Sequence, residues 1–398
     1  MEEYKPNQND ENRKLCKSDF AIRDYELKER VPFGRTGFLF ICTRKKTTKF
    51  YFMKLLTKST ILSTPNYIDK VYQQIKFHAM LSPHTQYVPV LKSISVDDSR
   101  YIGLICDYIP GGTVRFRLNK LKTIPLEHAK FYTANIVRLF QVMHSHNVIY
   151  RDLRPDTVLI NNKGYLMLMD FTLAKVLQGN DNNNNNNQYT KTLCGVPNYL
   201  APEMILSKPY NKSVDWWALG VFLYEILVGY DPFRGNDPLL VYQNIINNKY
   251  SFPKIIDKDA KGLIKHLLHP DVRKRYGCLK GGVNDVMDHR LFNDFKWDKF
   301  DNEKMDPPFV PGDEAMDMID NYFTQEQIEE MRKEKETKKV KVNDDDNKKD
   351  KLKDNATIQG QTGQQPRLGG KRGLVEPLEI DPKAEDIEQD DDPFLAWL

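Results

Sequence analysis

Charge of one sign, cysteine and long apolar runs are all scarce in this chain, and each shortage narrows its function. Its 59 lysines and arginines stand against 55 aspartates and glutamates, a formal charge of only +4 over 398 residues. That balance lacks the basic footprint of a nucleic-acid binder and gives no pull toward anionic membranes. Five cysteines, Cys16, Cys42, Cys106, Cys194 and Cys278, lie far apart with no C-x-x-C pair. Neither a disulfide framework nor a zinc site is indicated, and a reducing cytoplasm or nucleus is the expected location. The longest apolar stretch, Trp216 to Tyr230, contains Glu225 and runs about 15 residues, short of the ~20 of a membrane span. The opening Met1-Glu2-Glu3-Tyr4 carries neither a signal-peptide pattern nor a second-position glycine, so neither secretion nor myristoylation is expected.

What is present is a change of period along the chain. Phe38 to Thr43, Lys49 to Leu55 and Tyr101 to Tyr108 read as strands. Between them Asn66 to Leu81 reads as a helix, with Pro65 suiting its first turn. Pro110-Gly111-Gly112 breaks the chain. Beyond it the pattern is helical. Leu126 to Ser145 carries an apolar stripe through Ala129, Tyr132, Ile136, Val137, Phe140 and Met143, and further helices are expected at Ser213 to Val228 and Ala260 to Leu268. Asn180 to Gln188 is almost all asparagine, and 331–389 mixes charged residues and glycine with few aromatics; neither segment buries apolar area.

Four short motifs follow one another in a telling order. Lys54 ends a strand in Tyr51-Phe52-Met53-Lys54. Asp152 lies in Tyr150-Arg151-Asp152-Leu153-Arg154-Pro155-Asp156-Thr157. Asp170 opens Asp170-Phe171-Thr172, and Ala201-Pro202-Glu203 comes later. A cation for phosphates, a carboxylate aimed at a hydroxyl and a carboxylate for a metal are what phosphoryl transfer needs. The run Thr192-Leu193-Cys194-Gly195-Val196-Pro197 up to Glu203, with Val214 to Gly220, Arg273 to Gly277 and Pro308-Phe309-Val310-Pro311, resembles the AGC family of serine/threonine protein kinases, on its cAMP-dependent branch.

The resemblance implies an α+β bilobal fold: a small β-rich lobe (25–108) with one main helix, and a large, mostly helical lobe (111–292). A polar segment, 1–24, would precede this domain. An AGC-type extension (293–330) and a charged tail (331–398) would follow. ATP and Mg²⁺ are the implied cofactors. Lys54, Asp152 and Arg154 would be catalytic. Gly34, Gly37, Leu39, Asp107, Ile109 and Leu159, with Lys54 and Asp170, would hold the nucleotide, and Asp170 with Thr157 the metal. Thr192 would be phosphorylated, with Arg151 and Lys175 as its cationic pocket. Glu225 and Asp156 would read basic residues before the target hydroxyl, Thr113 standing where a third carboxylate is expected. Glu203 would pair with Arg275. Protein substrates, an upstream activating kinase and a regulatory subunit would be the partners.

The departures cluster at the nucleotide. Pro32 replaces the first glycine of the glycine-rich loop. Phe52 stands where a small residue roofs the adenine: it either fills that space or turns into the lobe core. No glutamate occurs from Leu55 to Leu104, leaving Gln73 or Gln74 as neighbour to Lys54. Thr157 replaces a metal-binding asparagine, and Thr172 a glycine, where a positive φ would cost on the order of 1–3 kcal/mol. Two readings follow: a serine/threonine kinase with weakened catalysis, or a pseudokinase that acts by binding. In the tail, Lys371-Arg372-Gly373-Leu374-Val375 resembles a pseudosubstrate, and Phe394 to Leu398 a docking motif for the small lobe.

Overall fold

The computed structural model describes residues 21–31, 37–65, 67–83, 85–96, 98–177 and 189–312. Gly34 with its loop, the asparagine run at 180–188, and the motifs at 371–375 and 394–398 lie outside the described residues.

The small lobe is a five-stranded antiparallel sheet. Its elements in chain order are β1 (Tyr25–Val31), β2 (Phe38–Arg44), β3 (Phe50–Thr57), α1 (Lys58–Ser63), α2 (Tyr67–Leu81), β4 (Leu91–Ser95) and β5 (Tyr101–Asp107), and the strands lie in the order β1-β2-β3-β5-β4. Leu39 pairs with Lys54, which pairs in turn with Leu104; Phe52 sits opposite Ile41 and Cys106. Directly opposed residues share a face, as do residues two apart on one strand. Leu39, Phe52, Lys54 and Cys106 therefore line one face. Gly37 enters β2 at φ +73°, and a Cβ there would lie 2.3 Å from the Leu55 carbonyl, so only glycine fits.

The large lobe continues with α3 (Val114–Leu121), α4 (Leu126–Ser145), the ribbons of β6 (Val148–Ile149) with β9 (Lys175–Val176) and β7 (Val158–Ile160) with β8 (Leu166–Leu168), then α5 (Pro202–Ile205), α6 (Ser213–Val228), α7 (Pro238–Ile246), α8 (Lys258–Leu267), α9 (Val283–Met287) and α10 (Trp297–Asp301). The helix α6 is buried on every side from Ser213 to Ile226, so it shows no polar face. Around it pack the whole stripe expected on α4 and the apolar residues of α8. The fold is the α+β arrangement expected from the sequence. Strands β1, β4 and β9 and helices α1, α3, α5, α7, α9 and α10 are additions to that reading, most of them too short to show a period.

Between the lobes, Gly111 N–H donates to Ile160 O at 2.9 Å and Ile160 N–H to Gly112 O at 3.0 Å. The Pro-Gly-Gly break is thus fastened to β7. Pro311 lies against Gly111, and the Arg117 guanidinium sits 3.7 Å over the Phe309 ring, so the proline motif lies beside the same joint. In the large lobe Arg275, fully buried, meets Glu203 through two bonds of 2.6 and 3.0 Å and donates to Ser213 O and His269 O. Removing one partner of such a pair strands a buried charge. Arg275→Ala is expected to lower stability by about 3–5 kcal/mol. Arg275→Met combined with Glu203→Leu should cost less than that single change. Urea denaturation followed by tryptophan fluorescence measures both.

Candidate active site

The interlobe site begins with the backbone of the loop after β6. Asp215, wholly buried on α6, accepts the amides of Tyr150 at 2.9 Å and Arg151 at 2.8 Å, and the Nε2 proton of His144 at 2.8 Å. Arg151 is held at φ +65°, a conformation that favours glycine. This turn sets Asp152, which is nearly buried and has the Arg154 Nε 3.4 Å from its Oδ1. Arg154 reaches Asp156 at 3.2 Å with its other arm. The Thr157 hydroxyl donates within the same loop, to Asp152 O at 2.7 Å and Arg154 O at 3.1 Å. Its one proton is committed to these carbonyls, so only a lone pair is left for a cation.

Opposite stands Lys54. Its ammonium lies 3.0 Å from Asp170 Oδ1 and 3.4 Å from the Thr172 hydroxyl. The Thr172 hydroxyl and amide both donate to the same oxygen, at 2.5 and 3.0 Å. Thr172 is absent from the positive-φ residues, so the backbone strain expected there does not occur. Its side chain instead becomes a member of the network. On α2, Gln74 is buried and Gln73 exposed, which decides between them. Gln74 meets Asp170 at 3.5 Å and Thr172 at 3.2 Å. Burial alone would raise the Asp170 carboxyl, but Lys54 and the Thr172 donors outweigh it and hold it below the usual carboxylate range.

Whether these residues suit a metal and a nucleotide has two answers, one for each end of the site. At the phosphate end, Asp170 Oδ2 is buried with no hydrogen-bond partner, a carboxylate oxygen left over for a cation. Among the described residues no three His, Cys, Asp or Glu side chains gather to hold a metal unaided. That suits an ion which takes most of its ligands from phosphate and water. At the other end Leu39, Phe52, Ile109 and Leu159 are all at most 2% exposed. Phe52 shares the cleft face with Lys54, and its ring centroid is 5.0 Å from that of Tyr108. Of the two orientations open from the sequence, the phenyl has the one toward the cleft. The Asp107 side chain turns to Lys92 at 2.9 Å.

The residues expected from the sequence to be regulatory or to read substrate are also gathered, with different neighbours from those expected. Arg151 donates to Leu173 O at 2.7 Å and Tyr210 OH at 3.0 Å, and Tyr210 OH donates to Thr192 O at 2.5 Å. Lys175 donates to Thr190 Oγ1 at 2.8 Å, which lies 3.5 Å from the Thr192 hydroxyl. Thr192 itself is exposed. Glu225 and Asp156 come together, but around a residue that the sequence reading missed, Arg115. Its guanidinium lies 2.7 Å from Glu225 Oε1 and 3.2 Å from Asp156 Oδ2. Thr113, the position of the missing carboxylate, caps α3 by accepting the Phe116 amide at 3.0 Å.

The protein kinase domain model matches residues 25–292, more than half of the chain. The chain belongs to the protein kinase family. Members of that family use ATP and a divalent metal. It is 32% identical over 304 residues to the cAMP-dependent protein kinase catalytic subunit of Arthrobotrys oligospora, covering 75% of this chain and 55% of that one. Identity to the cAMP-dependent protein kinase type 3 of Saccharomyces cerevisiae is 33% over 292 residues, 73% of this chain and 70% of that one. The catalytic subunit of Dictyostelium discoideum is 34% identical over 315 residues, 78% of this chain and 46% of that one. The matches thus span about half the length of two of these relatives. No helix among the described residues is long and apolar enough to cross a membrane.

One further group in this kinase fold was not legible as special. His78 on α2 is buried, with Nε2 2.6 Å from Pro89 O, and its ring lies tilted against Phe171 at 5.6 Å, which in turn meets Tyr150 at 6.1 Å. Burial pushes its pKa down to about 4 from 6.5, with Lys54 adding to the effect and the Pro89 carbonyl opposing it. The folded state keeps this imidazole neutral while the unfolded chain takes a proton below pH 6.5. Its contribution to stability is therefore present above pH 6.5 and lost as pH falls toward 4, at roughly 1.4 kcal/mol per unit. His78→Leu should flatten the fall in melting temperature over that window, as calorimetry at stepped pH would record.

Proposed function

We propose that this chain transfers the γ-phosphoryl group of MgATP to serine or threonine hydroxyls of proteins, with weakened catalysis. The observation that carries this reading is the buried pair of Lys54 and Asp170, which leaves Asp170 Oδ2 for a cation. Bound MgATP supplies the transferable phosphoryl group and the metal charge that offsets its oxygens. Lys54 holds phosphate oxygens, and Asp170 holds the metal. Asp152, set by the Asp215 turn, accepts the proton of the incoming hydroxyl. Arg154 beside it steadies the negative charge at that point. The weakening has two sources. Gln74 brings no carboxylate and bonds Asp170 and Thr172, so Lys54 has to draw its counter-charge from Asp170, the residue that is to hold the metal. Phe52 occupies the cleft face where a purine must lie.

Phosphorylation of Thr192 by an upstream kinase fits the same reading. Arg151 and Lys175 now serve neutral hydroxyls and a carbonyl. A phosphate of about −1.5 to −2 charge would take both cations and bind the segment to the catalytic loop. Intact-mass analysis of active protein should show that phosphate. Thr192→Ala should lower both activity and melting temperature. A separate regulatory subunit is the partner we propose from the names of the relatives, two of which are called catalytic subunits.

The test is a transfer assay on a serine/threonine peptide library with full-length protein. Asp152→Asn and Asp170→Ala should each abolish transfer, and MgATP should raise the melting temperature of the parent but not of Asp170→Ala. Phe52→Ala should tighten MgATP binding by about tenfold, or ~1.4 kcal/mol. Absence of transfer and of any MgATP-induced shift, in parent and Phe52→Ala alike, would leave the binding-module reading in its place.

A further inference from the structure

The acidic pair Asp156 and Glu225 faces a guanidinium from its own chain. Arg115 directs Nη2 to Glu225 Oε1 at 2.7 Å and to Asp156 Oδ2 at 3.2 Å, and Nε to both Asp156 oxygens at 3.3 Å. The second Glu225 oxygen accepts the Tyr199 hydroxyl, and Arg154 takes a further share of Asp156. Glu225 is thus satisfied on both sides while only 4% exposed. The placement is not incidental. Arg115 lies in the first turn of α3, where the helix dipole disfavours a cation. The Thr113 cap and the Arg115 N–H bond to Pro155 O at 2.8 Å fix that turn beside the catalytic loop. A cation on the wrong end of a helix needs compensating carboxylates, and these two are the ones it has.

We propose that Arg115 is the built-in occupant of this acidic subsite, so that the chain selects its peptide partners without regard to upstream basic residues. This deepens the proposed function and rests on its reading of the cleft as a peptide site. An arginine on a peptide would have to displace a guanidinium already tethered on the helix. One charge-assisted pair replaces another, so the exchange gains little, and the tether gives Arg115 the higher effective concentration. Among the described residues, removing Arg115 takes the only guanidinium off the buried Glu225 and leaves Asp156 to Arg154 alone, which turns the same pocket into a receptor for a basic side chain.

The experiment measures binding alone, by fluorescence anisotropy on full-length protein without nucleotide. The probes are a serine peptide with arginines two and three residues upstream and its alanine counterpart. The parent chain should bind the two equally. Arg115→Ala, and Arg115→Gln as the variant that keeps most of the packing, should favour the arginine peptide by about tenfold. Adding Glu225→Gln should remove that preference. A parent that already prefers the arginine peptide, or folded variants that gain no preference, would overturn the inference. The outcomes separate from those of the transfer assay. A chain that shows this binding pattern but transfers no phosphate defeats the phosphoryl-transfer reading alone, whereas efficient transfer favouring arginine-flanked serines defeats the inference alone.

Discussion

The buried carboxylate of Asp215 is the constraint on which the cleft depends. A residue at φ +65° costs on the order of 1–3 kcal/mol when it is not glycine, and Arg151 is such a residue. Two amide bonds to one charged acceptor, with His144 donating to the same group, offset that cost. Once the turn is fixed, its two consequences follow in opposite directions. Asp152 is presented next to Arg154, and the Arg151 side chain is sent back to Leu173 O and Tyr210. The loop that carries the candidate base and the segment that carries Thr192 are thus positioned by a helix that is itself buried on all sides. A rigid core element supplies the precision that the exposed segments lack.

The small lobe answers with a different economy of charge. A lysine buried beside a neutral glutamine must find its counter-ion elsewhere, because an unpaired buried ammonium is far more costly than a lost hydrogen bond. Here it takes Asp170 directly. That choice ties up one carboxylate oxygen and leaves the other without a partner. Thr172 completes the arrangement, since its hydroxyl and amide both serve the oxygen that Lys54 uses. Gln74 and Thr172, each a departure from the family pattern, are hydrogen-bonded to each other.

Legibility from sequence followed the range of the interaction. Lys54, Asp152, Asp170, Glu203 and Arg275 were readable because ordered motifs specify them, and the helices α4 and α6 because burial imposes a period or removes one. What the sequence left open were questions of facing. Gln73 and Gln74 differ by one helical position, and only packing says that Gln74 is inside. Phe52 was settled by register, since pairing with Ile41 and Cys106 puts it on the face of Lys54. The strain expected at Thr172 assumed a backbone that the chain does not adopt. Arg115 was missed although a signal existed: a cation just inside a threonine-capped helix start is in a poor place for the dipole and asks for a partner. His78 carried no such signal, because a histidine on a buried helical face looks like any core residue until its neighbours are known.

Taken together, these contacts share a direction. Lys54 is turned to Asp170, Arg115 to Asp156 and Glu225, Arg154 to Asp152 and Asp156, and Phe52 to Tyr108. In each case a group on the cleft side is satisfied from within the chain. For the ionic members this is a mild obstacle. An incoming phosphate or metal exchanges one ion pair for another, and the net change of an exchanged polar contact is small. The aromatic member is of another kind. A purine cannot trade places with a phenyl ring that shares the backbone of β3, and moving that ring off its rotamer and out of close packing carries a cost with no compensating pair. The ionic contacts can thus be exchanged for like contacts, whereas the ring at position 52, 0% exposed and packed 5.0 Å from the Tyr108 ring, has no such exchange open to it.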